Sequence, residues 1–348
     1  MDSKYRIDFD IMRILLTILV VIGHASYYSH STIWGGGNID YFYLADITQD
    51  TKIHIIATII TSYIYSFHMP LFFFLSGEVY SYTNKNITFS DLIQKKSKCL
   101  LIPALIVFLF YYLPIMFFTG YYDSFDLTVM WQIIFPGGNY LWFLESLYIC
   151  YIFIWILNRW KTNTEAIKYV LVVFVWIIGI FFWKKAVEFV PFGNPFRYFL
   201  WFYLGIKAEE IRHTIKLTYR VLFLLFVIQA NIWGAQQAFG HGEILIGSIS
   251  GFLIIPFWVI CTESLASRIS EKHSYFVKRV ASYTFGIYLY SDPLNYLILY
   301  LFHRQFGNAG FCCNFTAGIL YFSRIFITTF LAVLISKLIK KMGFQYLC

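Results

Sequence analysis

Apolar residues in this chain run in long blocks instead of alternating with polar ones. Ten blocks stand out, at 11–29, 54–82, 99–118, 139–158, 167–183, 195–206, 220–238, 244–262, 283–302 and 315–336. A helix needs roughly 20 mostly apolar residues to cross a bilayer. An open sheet would leave its backbone groups unsatisfied in lipid, so each block is predicted to be a transmembrane helix. The sixth block is short and the second long. The expected fold is all-α: a polytopic membrane helix bundle with about ten transmembrane helices. The polar stretches between blocks are too short for a soluble domain, so residues 1–348 are expected to form a single transmembrane domain.

The basic residues test this reading independently. With the N-terminus inside, Lys52, Lys184, Lys185, Arg197, Arg304 and Arg324 fall outside, and all the others among the 27 Lys and Arg fall inside. Such a positive-inside bias predicts that both termini are cytoplasmic, in a multi-pass protein of the plasma or inner membrane. The first block follows Arg6 without a small-residue cleavage site, so it is read as a retained helix and not a signal peptide.

Composition agrees with the pattern. Only 13% of residues are charged and 59% are hydrophobic, with mean hydropathy +0.63. A water-facing surface needs roughly twice that charge. The formal charge of +8 is spread along the inner turns, which argues against a nucleic-acid partner. The six cysteines show no CxxC pair and no zinc-like spacing, so no metal is expected. Gly35-Gly36-Gly37-Asn38 and Pro136-Gly137-Gly138-Asn139 lack the Lys-Ser/Thr ending of a phosphate loop and read as turns.

Ionisable groups inside apolar blocks are costly and point to function. Arg13 and His24 lie eleven positions apart in the first block. That is about three helical turns, or about 16 Å along the axis, so both share one face. His68 stands before Pro70 in the second block, where Ser76-Gly77 permits close backbone approach. Glu145 opens the fourth block, and Ser291-Asp292 precede Pro293 in the ninth.

On these residues the chain resembles the membrane-bound acyltransferase family 3, in its fucose 4-O-acetylase-like and surface-polysaccharide O-acetyltransferase branch. Asp10-Ile11-Met12-Arg13, ten residues and then His24 is similar to the family's opening Asp-x-x-Arg-x10-His pattern. Phe67-His68-Met69-Pro70-Leu71-Phe72-Phe73-Phe74-Leu75-Ser76-Gly77 is similar to its second-helix signature. Lys95-Lys96-Ser97-Lys98 before Ile102-Pro103 resembles its basic cytoplasmic motif, with Lys where many relatives have Arg, and Leu141-Trp142-Phe143-Leu144 resembles its fourth-helix start. The ninth helix departs, carrying Ser291-Asp292 where many members have a His. The hydrolase-like domain that some relatives append is not found.

The resemblance implies transfer of an acyl group, acetyl or another short acyl, from cytoplasmic acyl-CoA to a hydroxyl of a cell-surface or lipid-linked sugar. Arg13, oriented by Asp10, would hold the CoA phosphates with Lys95, Lys96 and Lys98, and Ser76 belongs to the same acyl-CoA-binding set. His24 would be the general base. His68 would orient the acceptor or stabilise the oxyanion, and Glu145 joins the catalytic candidates. A covalent acyl-histidine relay stays open. The rival from another class is a proton-coupled transporter or glycan flippase, which buried His, Glu and Asp beside kinks would also suit.

Overall fold

The computed structural model describes residues 6–26, 51–83, 87–122, 140–159, 165–185, 190–214, 218–239, 243–307 and 313–347. Both glycine-rich turns, and most of the long outer loops that hold them, lie outside these residues. Among the described residues every regular element is helical and there is no strand.

The helices are α1 (Ile7–Ala25), α2 (Lys52–Tyr65), α3 (His68–Thr83), α4 (Phe89–Lys96), α5 (Ile102–Val107), α6 (Leu113–Phe118), α7 (Trp142–Arg159) and α8 (Glu165–Lys185). They continue with α9 (Val190–Ile206), α10 (Ala208–Thr214), α11 (Tyr219–Phe239), α12 (Glu243–Ala266), α13 (Glu271–Ala281), α14 (Thr284–Phe306) and α15 (Asn314–Lys341). The described part of each predicted block lies largely on these helices. The long second block divides at Ser66-Phe67 into α2 and α3, with Pro70 in the first turn of α3. Proline is tolerated there because first-turn amides have no helical partner. Wide π turns at Ser97–Leu101 and Phe108–Tyr112 flank α5, the second leading into α6.

Five stretches among the described residues are long and apolar enough to cross a membrane: Lys52–Tyr82, Phe89–Phe118, Tyr219–Ala238, Ile249–Ala266 and Asn314–Lys341. α15 shows how the solvent shapes them. Its buried stripe carries Arg324, Thr328 and Ser336, while Phe315, Phe322, Phe326 and Phe330 are exposed. The buried hydroxyls return to the helix's own carbonyls, Thr328 to Arg324 and Ser336 to Ala332. Polar groups inward and phenyl rings outward suit lipid, not water.

The chain forms two compact units. One holds the start of α1 (through Leu16), α3, α4, α7 from Ser146 onward, and α8 to α13. Here α9 packs against α3 and α8, and α11 against α12. The α3–α9 approach requires glycine at two places. A Cβ on Gly77 would collide with the Phe202 carbonyl, and one on Gly205 with the Phe74 carbonyl. Phe73 stacks on Tyr198 at 4.8 Å between the same helices. Buried Gln229 donates to Ser66 at 3.1 Å and Ser250 at 3.4 Å, tying α11 and α12 to the α2–α3 turn.

This unit also contains a charge network. Arg6 bonds both oxygens of Asp8 at 2.9 and 2.6 Å, donates to the Tyr82 hydroxyl at 2.7 Å and lies 3.5 Å from Glu263. Arg212 pairs with buried Glu78 at 2.5 Å and lies 3.2 Å from Glu263. The buried carboxylates of Asp8 and Glu78 are tolerable because each faces a guanidinium.

The second unit holds the end of α1, α2 to Ile64, α5, α6, residues 140–145, α14 and α15. α14 packs along α15 and against α5 and α6. Ala25, Ala57 and Tyr321 form a small buried cluster joining α1, α2 and α15, with Ile53 and Ile325 packed on it.

Candidate active site

His24 occupies the last turn of α1, where the final four carbonyls have no amide partners within the helix. Three of them are satisfied from elsewhere. Ile22 accepts from the Tyr321 hydroxyl at 3.5 Å, Gly23 from the Ser26 hydroxyl at 2.9 Å, and His24 from Arg324 Nη2 at 3.3 Å. Arg324 is fully buried. A cation at a helix C-terminus also complements the negative end of the dipole, which gives this guanidinium a reason to be there.

The partner of His24 comes from α14. Its Nδ1 lies 2.6 Å from Asp292 Oδ1, with side-chain exposures of 17% and 5%. The two atoms are in close contact without the alignment of a regular hydrogen bond. Asp292 stands beside Pro293, which lacks the amide that would bond the Leu289 carbonyl. Tyr140 fills that vacancy, its hydroxyl donating to Leu289 O at 2.7 Å. Tyr288 returns the contact by donating to the Tyr140 carbonyl at 2.7 Å, and Tyr111 donates to Tyr290 O at 3.1 Å. The distorted turn carrying Asp292 is therefore clasped by tyrosines. With Nδ1 turned to the carboxylate, Nε2 is the ring nitrogen that can take a proton.

The other predicted residues are placed as follows. Arg13 Nη1 donates to Asp10 Oδ1 at 3.1 Å, one turn apart near the start of α1, with Asp10 buried and Arg13 half-exposed. Lys95 and Lys96 end α4. Lys96 lies over the Tyr151 ring at 3.7 Å and near Tyr80 at 5.9 Å, a cation–π seat, whereas Lys95 and Lys98 are exposed. His68 is buried at the start of α3, edge-on to Tyr65 at 4.5 Å. Ser76 gives its hydroxyl proton to Phe72 O at 2.8 Å. Glu145 is half-buried in the first turn of α7, where the helix dipole favours a carboxylate. The structure thus brings His24 and Asp292 together, and Asp10 and Arg13 together. Ser291 is buried next to Asp292 on α14. His68, Ser76, Lys95 and Lys96 belong to the first unit, while His24, Asp292, Glu145 and Lys98 belong to the second.

The acyltransferase-domain family matches residues 6–340. The chain belongs to the membrane acyltransferase family 3. No curated protein and no solved structure matches it. As a member of this family it is a multi-pass membrane acyltransferase. The His24–Asp292 pair sits inside the matched region, as do Asp10 and Arg13.

Sequence reasoning does not single out Arg324 or Tyr140. Arg324 reads there only as an outer charge, and an arginine inside an apolar block also signals burial. Tyr140 had no signal beyond its place at the head of a block. Among the described residues no group of three or more His, Cys, Asp or Glu could hold a metal ion.

Proposed function

We propose that this acyltransferase is an O-acyltransferase, acetyl-CoA its first candidate donor, acting on a hydroxyl of a cell-surface or lipid-linked sugar. It would stand in the fucose 4-O-acetylase-like and surface-polysaccharide branch, in the plasma or inner membrane. Ten crossings would leave both termini cytoplasmic and make one functional domain of residues 1–348. The observation that carries the reading is the half-buried imidazole of His24 held against the buried carboxylate of Asp292.

In this scheme Asp292 keeps the proton on Nδ1 and stabilises the imidazolium that forms during reaction. His24 Nε2 takes the proton of the acceptor hydroxyl as its oxygen attacks the thioester carbonyl carbon. The carbon–sulfur bond then breaks, and His24 returns the proton to the departing thiolate. The products are an ester and free CoA. Asp10 orients the Arg13 guanidinium for the donor phosphates, and Lys95, Lys96 and Lys98 add cationic charge for the same anion. His68, Ser76 and Glu145 are supporting positions whose substitution should alter activity less than that of His24.

The test is thiol release from acetyl-CoA by the full chain in nanodiscs, together with mass spectrometry of the surface glycan in cells with and without the protein. His24→Ala should abolish both thiol release and the added acyl mass at unchanged membrane abundance. Full activity in that variant removes His24 as the base. Arg13→Ala should chiefly raise the KM for acetyl-CoA.

A further inference from the structure

α14 presents more polar surface at this turn than the His–Asp pair uses. Ser291 and Asn295 are one turn apart and flank Asp292, at 1%, 0% and 4% exposure respectively. Ser291 Oγ and both polar atoms of the Asn295 amide are buried without a hydrogen-bond partner among the described residues. A buried polar atom left unpaired costs roughly 1–3 kcal/mol. Three such atoms on one helical face are therefore expensive to keep.

Ser291 makes the point sharply. A serine or threonine inside a helix commonly returns its hydroxyl to the carbonyl four residues earlier. Ser76, Thr262, Thr329 and Ser336 all do so here, bonding Phe72, Trp258, Ile325 and Ala332. Ser291 does not. Its hydroxyl is withheld from the helix at the turn whose next residue faces His24.

We infer that Ser291 and Asn295 form the recognition site for the acceptor, binding hydroxyls of a neutral polyhydroxylated group next to the one His24 deprotonates. This rests on the acyl-transfer reading of His24. The chemistry selects the class of ligand. A carboxamide offers one acceptor oxygen and two N–H donors, and a serine hydroxyl both donates and accepts. Neighbouring sugar hydroxyls, each donor and acceptor at once, match that set. The pair itself carries no cation, so it does not suit a phosphate. Both residues are positioning groups for the acceptor, and neither takes part in proton transfer.

The experiment measures thiol release from acetyl-CoA by the full chain in nanodiscs. Methyl glycosides of glucose, galactose and N-acetylglucosamine are the acceptor probes, alongside acceptor-free hydrolysis and thermal unfolding. Asn295→Leu, similar in volume but apolar, should raise the KM of the best probe roughly tenfold or more, since at least one hydrogen bond is lost. Acceptor-free hydrolysis and the KM for acetyl-CoA should stay unchanged, and Tm should rise because an unpaired amide has been removed. Ser291→Ala should weaken the same probe less, and it supplies the test if Asn295→Leu does not fold. An unchanged probe KM, a raised KM for acetyl-CoA, or a lowered Tm in Asn295→Leu overturns the inference and leaves the function standing. Wild-type protein that transfers acetyl to no probe and does not hydrolyse acetyl-CoA overturns the function, and the inference with it.

Discussion

Replacing Asp292 with Asn separates charge from shape at the centre of the proposed mechanism. The two residues touch at 2.6 Å, and His24 keeps only 17% side-chain exposure, so little water screens the pair. Opposite unit charges with centres about 4 Å apart attract by about 4 kcal/mol at an effective dielectric of about 20. That attraction acts on the imidazolium, which exists only once the hydroxyl proton has moved. Its loss should fall on kcat, by about a thousandfold for about 4 kcal/mol. The asparagine amide fills the same space, so packing of α14 on α15 should persist. Initial rates of thiol release over a range of acetyl-CoA concentrations, with thermal unfolding of the same preparations, supply the measurement. The expected pattern is a kcat lower by about three orders of magnitude, an unchanged KM for acetyl-CoA and nearly unchanged Tm. A kcat within about threefold of wild type would mean that the carboxylate does not support the imidazole, and His24 would lose its role as an activated base.

Three further outcomes follow from the packing. Tyr140→Phe removes the hydroxyl that donates to the Leu289 carbonyl, which Pro293 leaves without an amide; it should cost about 1–3 kcal/mol of stability and slow thiol release while sparing the KM for acetyl-CoA. Gly205→Ala forces a methyl group onto the Phe74 carbonyl, so it should lower thermal stability by about 1–3 kcal/mol or prevent folding, whereas Gly234→Ala, whose Cβ would meet nothing, should not. Glu165, ahead of the fifth predicted span, is held below the usual carboxylate range by hydrogen bonds from Lys168 and Lys207. A depressed pKa contributes stability above the ordinary value near 4.3 and loses it as pH falls through the folded value. The Tm gap between wild type and Glu165→Gln should therefore close as the pH drops below about 4. At 53% exposure the side chain is well solvated, so the gap should stay under about 1 kcal/mol at neutral pH and shrink in high salt.

What the sequence disclosed follows from the length scale of each interaction. An apolar block is a local property, and the described part of every predicted block lies largely on helices. Local too is the Asp10–Arg13 pair, one turn apart on a single helix. The break at Ser66-Phe67 was only half legible: Pro70 announces a weak point, but the helix stops before it because the proline fits a first turn. His24 and Asp292 stand at nearly opposite ends of the chain, and no spacing rule joins them. The same holds for Pro293. A proline says that a carbonyl four residues earlier has lost its amide, yet nothing local says that the hydroxyl of Tyr140 will replace it. Arg324 is a related case. Topology reads it as a charge on the outer side, and nothing local says that it caps the carbonyl end of the helix that carries His24. In lipid such pairings are forced on the chain, because a buried carbonyl or guanidinium has no water to turn to. Each residue that breaks the apolar pattern therefore implies a partner elsewhere in the chain or in a ligand. His24, Asp292, Arg324 and Pro293 meet theirs in the second unit. Ser291 and Asn295 meet none among the described residues, and that is why the acceptor is the place to look for what they bind.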